Sequence, residues 1–202
     1  SILEVRSAIY SPQGKLLQTI KQKQKLKSGE TYIFENTSGA IESPDLWSPE
    51  TPSLYLVKTT LVDPKSGKLL DEKNHKVGFR WFTFDGSKGF FLNGKSYKLR
   101  GLNRHQDQAP AGVALDDEAH RRDIFLMKEL GCNFIRISHF PQDDAILEMC
   151  DELGLLAWEE IPIINIVPNT PGYDDNCEYN LREMIRQHYN CLLYTSDAAD
   201  DK

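Results

Sequence analysis

The sequence predicts two folded regions: a β-sandwich, and after it an α/β region whose element order is that of the start of a (β/α)8 barrel. Up to residue 84, short runs rich in Val, Leu and Thr alternate with turn signals, which is typical of antiparallel β structure. From residue 85 on, three strand-like runs alternate with three segments of helical periodicity. This β-α-β-α-β-α order implies a parallel sheet, and three units are too few to close a barrel.

Strands of the first region are predicted over residues 3–9, 54–62 and 76–84, with turn signals at 11–14 and 63–67. Apolar and polar residues alternate in the first of these runs, as on a half-buried strand. A run of charge, Lys21 to Lys25, lies between the first two strands. We interpret it as a solvated strand face, with a functional basic patch as the alternative.

The second region alternates strands and helices. Its elements are predicted as a strand over 97–100, a helix from Asp116 or Asp117 to Leu130, a strand over 132–137, a helix from Pro141 to Leu153, a strand over 155–158 and a helix around 181–188. Gly131 and Gly154 can end the first two helices in the left-handed conformation. The last strand is wholly apolar, which suits a parallel strand covered on both faces.

Composition places the chain among ordinary globular proteins. Of its 202 residues, 27% are charged and 40% are hydrophobic, and the formal net charge is −6. An apolar run of ~18 residues, which a membrane helix requires, is absent from the sequence, and an acidic chain lacks the basic character of nucleic-acid binders. Four cysteines without a CxxC pair predict neither a disulfide scaffold nor a zinc site. We therefore expect no nucleic-acid partner and no membrane.

Ionisable side chains follow each of the three strands of the second region, in the stretches 103–107, 136–141 and 158–160. The carboxyl ends of barrel strands meet at one face, where barrel enzymes carry their active sites. Imidazole and carboxylate groups can hydrogen-bond sugar hydroxyls, and an arginine can hold a carboxylate with two hydrogen bonds. The sequence therefore predicts a polar pocket for a hydroxyl-rich ligand at this face.

These stretches resemble glycoside hydrolase family 2, the family of β-galactosidases, β-glucuronidases and β-mannosidases. The similar motifs are NFIRISHFP at 133–141, GFFLNGK at 89–95, RGLNRH at 100–105, LWSPETPSLY at 46–55 and VGFR at 77–80. The resemblance implies a multidomain chain of β and α/β class. An immunoglobulin-like β-sandwich would occupy residues 1–84, and the first three βα units of a TIM barrel would occupy 85–190.

The resemblance implies a retaining glycosidase, which uses two carboxyl groups about 5–5.5 Å apart. For the parent protein we expect a β-galactosidase that acts in carbohydrate metabolism, with a glycoside or oligosaccharide as substrate. The alternatives are a β-glucuronidase of the same family and a non-catalytic carbohydrate-binding or scaffold protein. A homo-oligomeric parent is left open, as is a location in the bacterial cytoplasm or periplasm.

Four residues are candidates for the pocket by their position in the resembling motifs. Arg136 would hydrogen-bond the catalytic nucleophile, and His105 and His139 would line the sugar subsite. Glu160 would form or support the floor of the pocket.

Structural roles are the alternatives for some of these residues. Arg136 could instead form an ion pair inside the barrel, and of Glu159 and Glu160 one could be exposed and one supporting. We interpret Asn133, inside its strand, as structural, and His188, on the apolar face of the last helix, as a packing residue.

The chain departs from the family pattern in two respects. Both catalytic glutamates are expected beyond Asn190, so we assign no glutamate of this chain as nucleophile or acid/base and expect the fragment alone to be inactive. Some β-galactosidases of the family bind magnesium shortly after the third strand, where this chain has IINI at 163–166. Because magnesium prefers oxygen ligands that include carboxylates, we predict no metal at this position. We also expect no cofactor.

Both termini are interpreted as truncated. The chain begins at Ser1 without a signal peptide, which therefore says nothing about the compartment. Residues 191–201 can be back-translated into the transposon end and adapter of shotgun sequencing libraries. We interpret 191–202 as an artefact of sequencing, with a natural polar tail as the alternative.

Overall fold

A computed structural model describes residues 1–168, 170–189 and 191. These residues form two compact units: Ser1–Asp45 with Ser53–Phe79, and Leu46–Pro52 with Arg80 onward. The interpretation of 191–202 as an artefact concerns a segment that, apart from Cys191, lies outside the described residues.

The first unit contains a four-stranded antiparallel sheet. Its strands are β1 (Ile2–Tyr10), β2 (Leu16–Lys25), β3 (Tyr55–Val62) and β4 (Leu69–Val77), in the order β2-β1-β3-β4. Ile9, Tyr55 and Val62 are its buried apolar residues. The predicted solvated face is confirmed, because the three lysines between positions 21 and 25 are exposed on β2. Charged side chains on β2 and β4, the two edge strands, disfavour pairing with a foreign sheet.

A small antiparallel sheet begins the second unit, with strands β5 (Phe82–Asp85), β6 (Gly89–Leu92) and β7 (Lys95–Ser96). The predicted strand over 76–84 is therefore wrong, because it joins the end of β4 to the start of β5. Between them, the backbone N–H of Trp81 donates to Asn93 Oδ1, and its carbonyl accepts from Asn93 N. Both bonds join Trp81 to Asn93, which lies in the turn between β6 and β7 and not in a strand. The apolar run in the sequence does not reveal this pairing.

The short segment Leu46–Pro52 packs within the second unit through Trp47. The Trp47 side chain is fully buried, and its indole N–H donates to the Asp151 carbonyl at 2.8 Å. The Arg80 guanidinium lies 6.0 Å from the indole ring, and burial lowers the pKa of Arg80 to about 10. Part of the motif at 46–55 therefore belongs to the second compact unit.

A parallel three-stranded sheet forms the centre of the second unit. Its strands are β8 (Gly101–Arg104), β9 (Phe134–Ile137) and β10 (Leu156–Glu159), in the order β10-β9-β8, and the helices are α1 (Asp117–Glu129), α2 (Asp144–Leu153) and α3 (Tyr173–His188). The predicted β-α-β-α-β-α order is confirmed. The sheet register places Arg104, Ile137 and Glu159 in one row, and all three are buried.

Two element boundaries differ from the predictions for local reasons. The first barrel strand was predicted over 97–100 but begins at Gly101. The Asn133 side chain, interpreted above as structural, accepts from Arg100 N and donates to Lys98 O, so that a side chain replaces the strand ladder there. The second helix begins at Asp144 and not at Pro141, because the Asp143 carboxylate caps it by accepting from Ala145 N.

We predict that replacing Gly101 by alanine will destabilise the protein. An added Cβ would lie 2.1 Å from the Phe134 carbonyl oxygen, and a backbone atom in a sheet cannot move away cheaply. We expect a loss of about 2 kcal/mol or more in the free energy of unfolding, measured by chemical denaturation. Gly86→Ala is the matched control, since nothing lies within 4 Å of its Cβ position. Equal stability of the two variants would contradict this packing argument.

Candidate functional site

The four candidate residues lie together at the carboxyl ends of the parallel strands. Arg136 is on β9, in register with Asn103 and Trp158 of the neighbouring strands. These three residues are partly or well exposed, so they mark the face of the sheet opposite the buried row. His139 and Glu160 follow β9 and β10 and contact Arg136 directly.

Arg136 and Glu160 form a two-pronged ion pair. Arg136 Nε donates to Glu160 Oε1 at 2.5 Å, and Nη2 donates to Oε2 at 3.0 Å. Such paired, charge-assisted bonds fix the plane of the guanidinium as well as its position. The structure therefore shows an ion pair of Arg136 with Glu160, which leaves its bond to a nucleophile a prediction. Among the described residues, Nη1 of Arg136 forms no hydrogen bond, so it remains available to a further acceptor.

Two histidines complete the cluster. Nδ1 of His139 lies 3.2 Å from Glu160 Oε2 and 3.4 Å from Arg136 Nη2. The ring of His105, which follows β8, lies edge-on to the ring of His139 with 5.3 Å between their centroids. The cluster thus carries a cation, a carboxylate and two imidazoles, a set that can donate hydrogen bonds to hydroxyl groups and accept them.

A buried polar network lies on the opposite face of the sheet, around Arg104. The Arg104 side chain is 4% exposed and donates to Asp123 Oδ2 from Nε at 3.1 Å and from Nη2 at 2.8 Å. Nη2 also lies 2.9 Å from His120 Nδ1, and Nη1 donates to Gln142 Oε1 at 2.6 Å. Gln108 donates to both oxygens of Asp123. The network ties β8 to α1 and to the loop that precedes α2.

A second buried pair joins β10 to α3. His188 Nδ1 lies 2.8 Å from Glu159 Oε2, and both side chains are nearly inaccessible. His188 Nε2 lies 3.4 Å from the exposed Asp144 carboxylate. The hydrogen bond to Glu159 raises the pKa of His188 above its usual value of 6.5. His188 is thus buried, as the packing interpretation expects, and is also the partner of a buried carboxylate.

The sequence identified the exposed cluster but not these two buried sets. Arg104 and Glu159 lie in the polar stretches 103–107 and 158–160, but the sequence alone did not predict that they face away from the exposed cluster. Asp123 and Gln142 carried no distinguishing motif. The signal that could have found them is alternation, since residues at i and i+2 of a strand share a face. Glu159 and Glu160 are adjacent, and they bind His188 and Arg136 respectively.

Some features fall outside the site. The stretch 163–166 is exposed, and within residues 1–168, 170–189 and 191 there is no group of three or more potential metal-ligating side chains. In the same described part of the chain, every helix is too short or too polar to cross a membrane.

Comparison with known proteins relates both units to one family. Residues 85–189 match the profile described as "Glycosyl hydrolases family 2, TIM barrel domain", and residues 3–80 match "Glycosyl hydrolases family 2". A solved structure, Bacteroides uniformis β-glucuronidase 2 covalently bound to cyclophellitol-6-carboxylate aziridine, is 67% identical with a TM-score of 0.89. The match covers 95% of this chain and 23% of that one.

Two further relatives carry two different activity names. A β-glucuronidase of Bacteroides fragilis is 38% identical over 173 residues, which are 82% of this chain and 24% of the relative. A β-galactosidase of Thermoanaerobacterium thermosulfurigenes is 42% identical over 146 residues, which are 72% of this chain and 20% of the relative. The chain thus spans about a fifth to a quarter of the length of these proteins.

We predict that the Glu159–His188 pair makes stability depend on pH. Because the folded-state pKa of His188 is raised, the contribution of the pair is fully present below pH 6.5 and is lost as pH rises through the raised value. The melting temperature of wild type minus that of His188→Gln should therefore be largest near pH 6 and shrink towards pH 9. A hydrogen bond to a charged group contributes about 1.5–3 kcal/mol.

The control for this measurement is Arg186→Gln on the same helix, whose side chain is exposed and pairs only with Glu183 among the described residues. Its melting temperature should follow that of wild type at every pH. A difference between wild type and His188→Gln that stays constant from pH 6 to pH 9 would show that the ionisation of His188 is not coupled to folding.

Proposed function

Because this chain belongs to glycoside hydrolase family 2, we propose that the whole protein is a retaining glycoside hydrolase that acts on β-glucuronides. The chain comprises the sandwich domain of the family and the start of its TIM-barrel domain. The observation that carries the proposal is the 67% identity to a β-glucuronidase that is covalently bound to a carboxylate-bearing aziridine. The β-galactosidase interpretation preferred in the sequence analysis has weaker support.

The covalent adduct of this relative bears on mechanism and on substrate together. A retaining glycosidase forms a covalent glycosyl–enzyme intermediate through a carboxylate nucleophile, which water then hydrolyses. The inhibitor carries a carboxylate, and a glucuronide has a carboxylate at C6 where a galactoside has a hydroxymethyl group. We assign the same class of chemistry and of substrate to this protein.

Arg136 is assigned to the nucleophile because of its free donor group. Glu160 engages Nε and Nη2, which leaves Nη1 directed to neither Glu160 nor His139. A carboxylate that accepts from Nη1 would be fixed in place by a charge-assisted bond. Arg136 is thus a bridge between Glu160 and the nucleophile. Since Arg136 is engaged in this way, the carboxylate of a glucuronide substrate needs a different cationic side chain as its partner.

Glu160 is assigned a supporting role and not a catalytic one. Both of its oxygens accept hydrogen bonds from Arg136, and Oε2 also lies next to His139. A carboxylate engaged in this way is not free to attack a sugar or to protonate a leaving group. We therefore place both catalytic carboxylates beyond Asn190, and His105 and His139 at the hydroxyl groups of the sugar.

We predict a strong preference for glucuronides. In the full-length protein, kcat/KM for 4-nitrophenyl β-D-glucuronide should exceed that for the β-D-galactoside by at least about 100-fold. A site built to bind a substrate's polar group loses heavily when the group is missing, because its own buried partners are left unpaired. Initial rates at matched concentrations give the ratio. A ratio below one would favour the β-galactosidase alternative, and no turnover of either substrate would reject both activities.

We predict that Arg136→Lys will lower kcat/KM about 10- to 100-fold in the full-length protein. Lysine keeps the charge, but it cannot bind Glu160 with two parallel bonds and reach the nucleophile as well. The matched control is Arg121→Lys, since Arg121 forms an exposed ion pair with Glu148 on the surface. That variant should stay within twofold of wild type. Equal kinetics of the two variants would refute the role assigned to Arg136.

A further inference from the structure

Gln142 lies just before α2, where its side chain reaches the ends of two barrel strands. It is 8% exposed, and its amide nitrogen donates to the Arg104 carbonyl at 3.2 Å and to the Ser138 carbonyl at 3.0 Å. One side-chain NH₂ group therefore joins the end of β8 to the residue that follows β9.

All the polar atoms of this amide are used. Its oxygen accepts from Arg104 Nη1 at 2.6 Å, and the Arg104 guanidinium is held in turn by Asp123. The side chain is thus fixed by three contacts inside a buried network. A group held in this way resists displacement, because each broken contact would leave a buried polar atom without a partner.

Gln142 binds two backbone carbonyl groups, and each belongs to the residue just before one of the two histidines of the pocket. Arg104 is followed by His105, and Ser138 is followed by His139. The backbone N–H of Ser138 donates to the same Arg104 carbonyl at 3.1 Å, and there the ladder between the strands ends. Beyond this last backbone bond, the side chain of Gln142 connects the two strand ends, just before the two histidines.

We propose that Gln142 is a positioning residue for the substrate pocket, because its amide sets the separation of the ends of β8 and β9 and thereby holds His105 and His139 as a pair. Gln142 itself belongs to the buried network and not to the exposed cluster. The proposal rests on the proposed function in so far as it assigns the two histidines to the substrate. Its geometric part stands on the contacts alone.

The test uses two variants of the full-length protein. Gln142→Met keeps the approximate length of the side chain and removes all three polar contacts. Gln142→Glu keeps an acceptor for Arg104 but has no N–H group for the two carbonyls. For both variants, kcat and KM are measured with 4-nitrophenyl β-D-glucuronide. The concentration of active sites is counted by covalent labelling with cyclophellitol-6-carboxylate aziridine.

Counting active sites separates positioning from folding. A variant that is only less stable has fewer active sites, but each site works normally. A displaced pair of histidines lowers kcat/KM for every labelled site, and a shift of about 1 Å can cost about 100-fold. We expect kcat/KM per labelled site to fall about 10- to 100-fold in both variants.

Gln108→Met is the matched control. Gln108 is a glutamine of the same network and binds Asp123, but its side chain donates to neither strand-end carbonyl. We expect its kcat/KM per labelled site to stay within twofold of wild type. If Gln142→Met or, should that variant not fold, Gln142→Glu behaves like this control, Gln142 serves stability alone and the proposal is overturned.

Crystal structures of wild type, Gln142→Met and Gln108→Met test the geometry without any assay. The proposal requires the 5.3 Å separation of the His105 and His139 rings to change by about 1 Å or more in Gln142→Met but not in Gln108→Met. An unchanged pair in Gln142→Met would overturn it. If wild type hydrolyses no glycoside, the proposed function fails, and these structures alone decide the positioning role.

Discussion

A buried guanidinium at the end of the first barrel strand constrains much of the second unit. Burying the charge of Arg104 is costly unless partners surround it, because a protein interior solvates ions poorly. Asp123 and His120 of α1 and Gln142 before α2 are those partners. Elements far apart in sequence must therefore meet at one point. That point lies on the face of the sheet opposite Arg136.

At the ends of β8 and β10, two residues that are adjacent in sequence lie on opposite faces of the sheet. At the end of β10, Glu159 binds His188 of α3 while Glu160 binds Arg136. At the end of β8, Arg104 enters the buried network while His105 stays exposed. In each of these two pairs, Arg104 with His105 and Glu159 with Glu160, a buried residue held by its partners is bonded to a residue of the exposed cluster. An anchor that holds its strand end also limits the motion of the side chain next to it.

Local sequence predicted the order of elements and the residues that meet at the strand ends, because apolar periodicity and the rule that the carboxyl ends of barrel strands share one face are strong signals. It misplaced boundaries where side chains replace backbone bonds, as Asn133 does before β8 and Asp143 does before α2. It also could not separate the two arginines. Arg104 aligns with Ile137 and Arg136 aligns with Asn103, and only sheet register shows that the arginines face opposite ways.

The two faces of the parallel sheet carry different sets of polar residues, and this separation bears on how substrate preference can differ within one family. Relatives of this chain carry the names of two activities, although they share its scaffold. Residues of the exposed cluster can change without removing a contact of the buried network, since Arg104 and Arg136 occupy rows on opposite faces of the sheet. A change at Arg104 or Gln142, in contrast, would leave buried polar partners of the network unpaired. Differences in activity among these relatives are therefore expected at positions on the face that carries Arg136, and not in the buried network around Arg104.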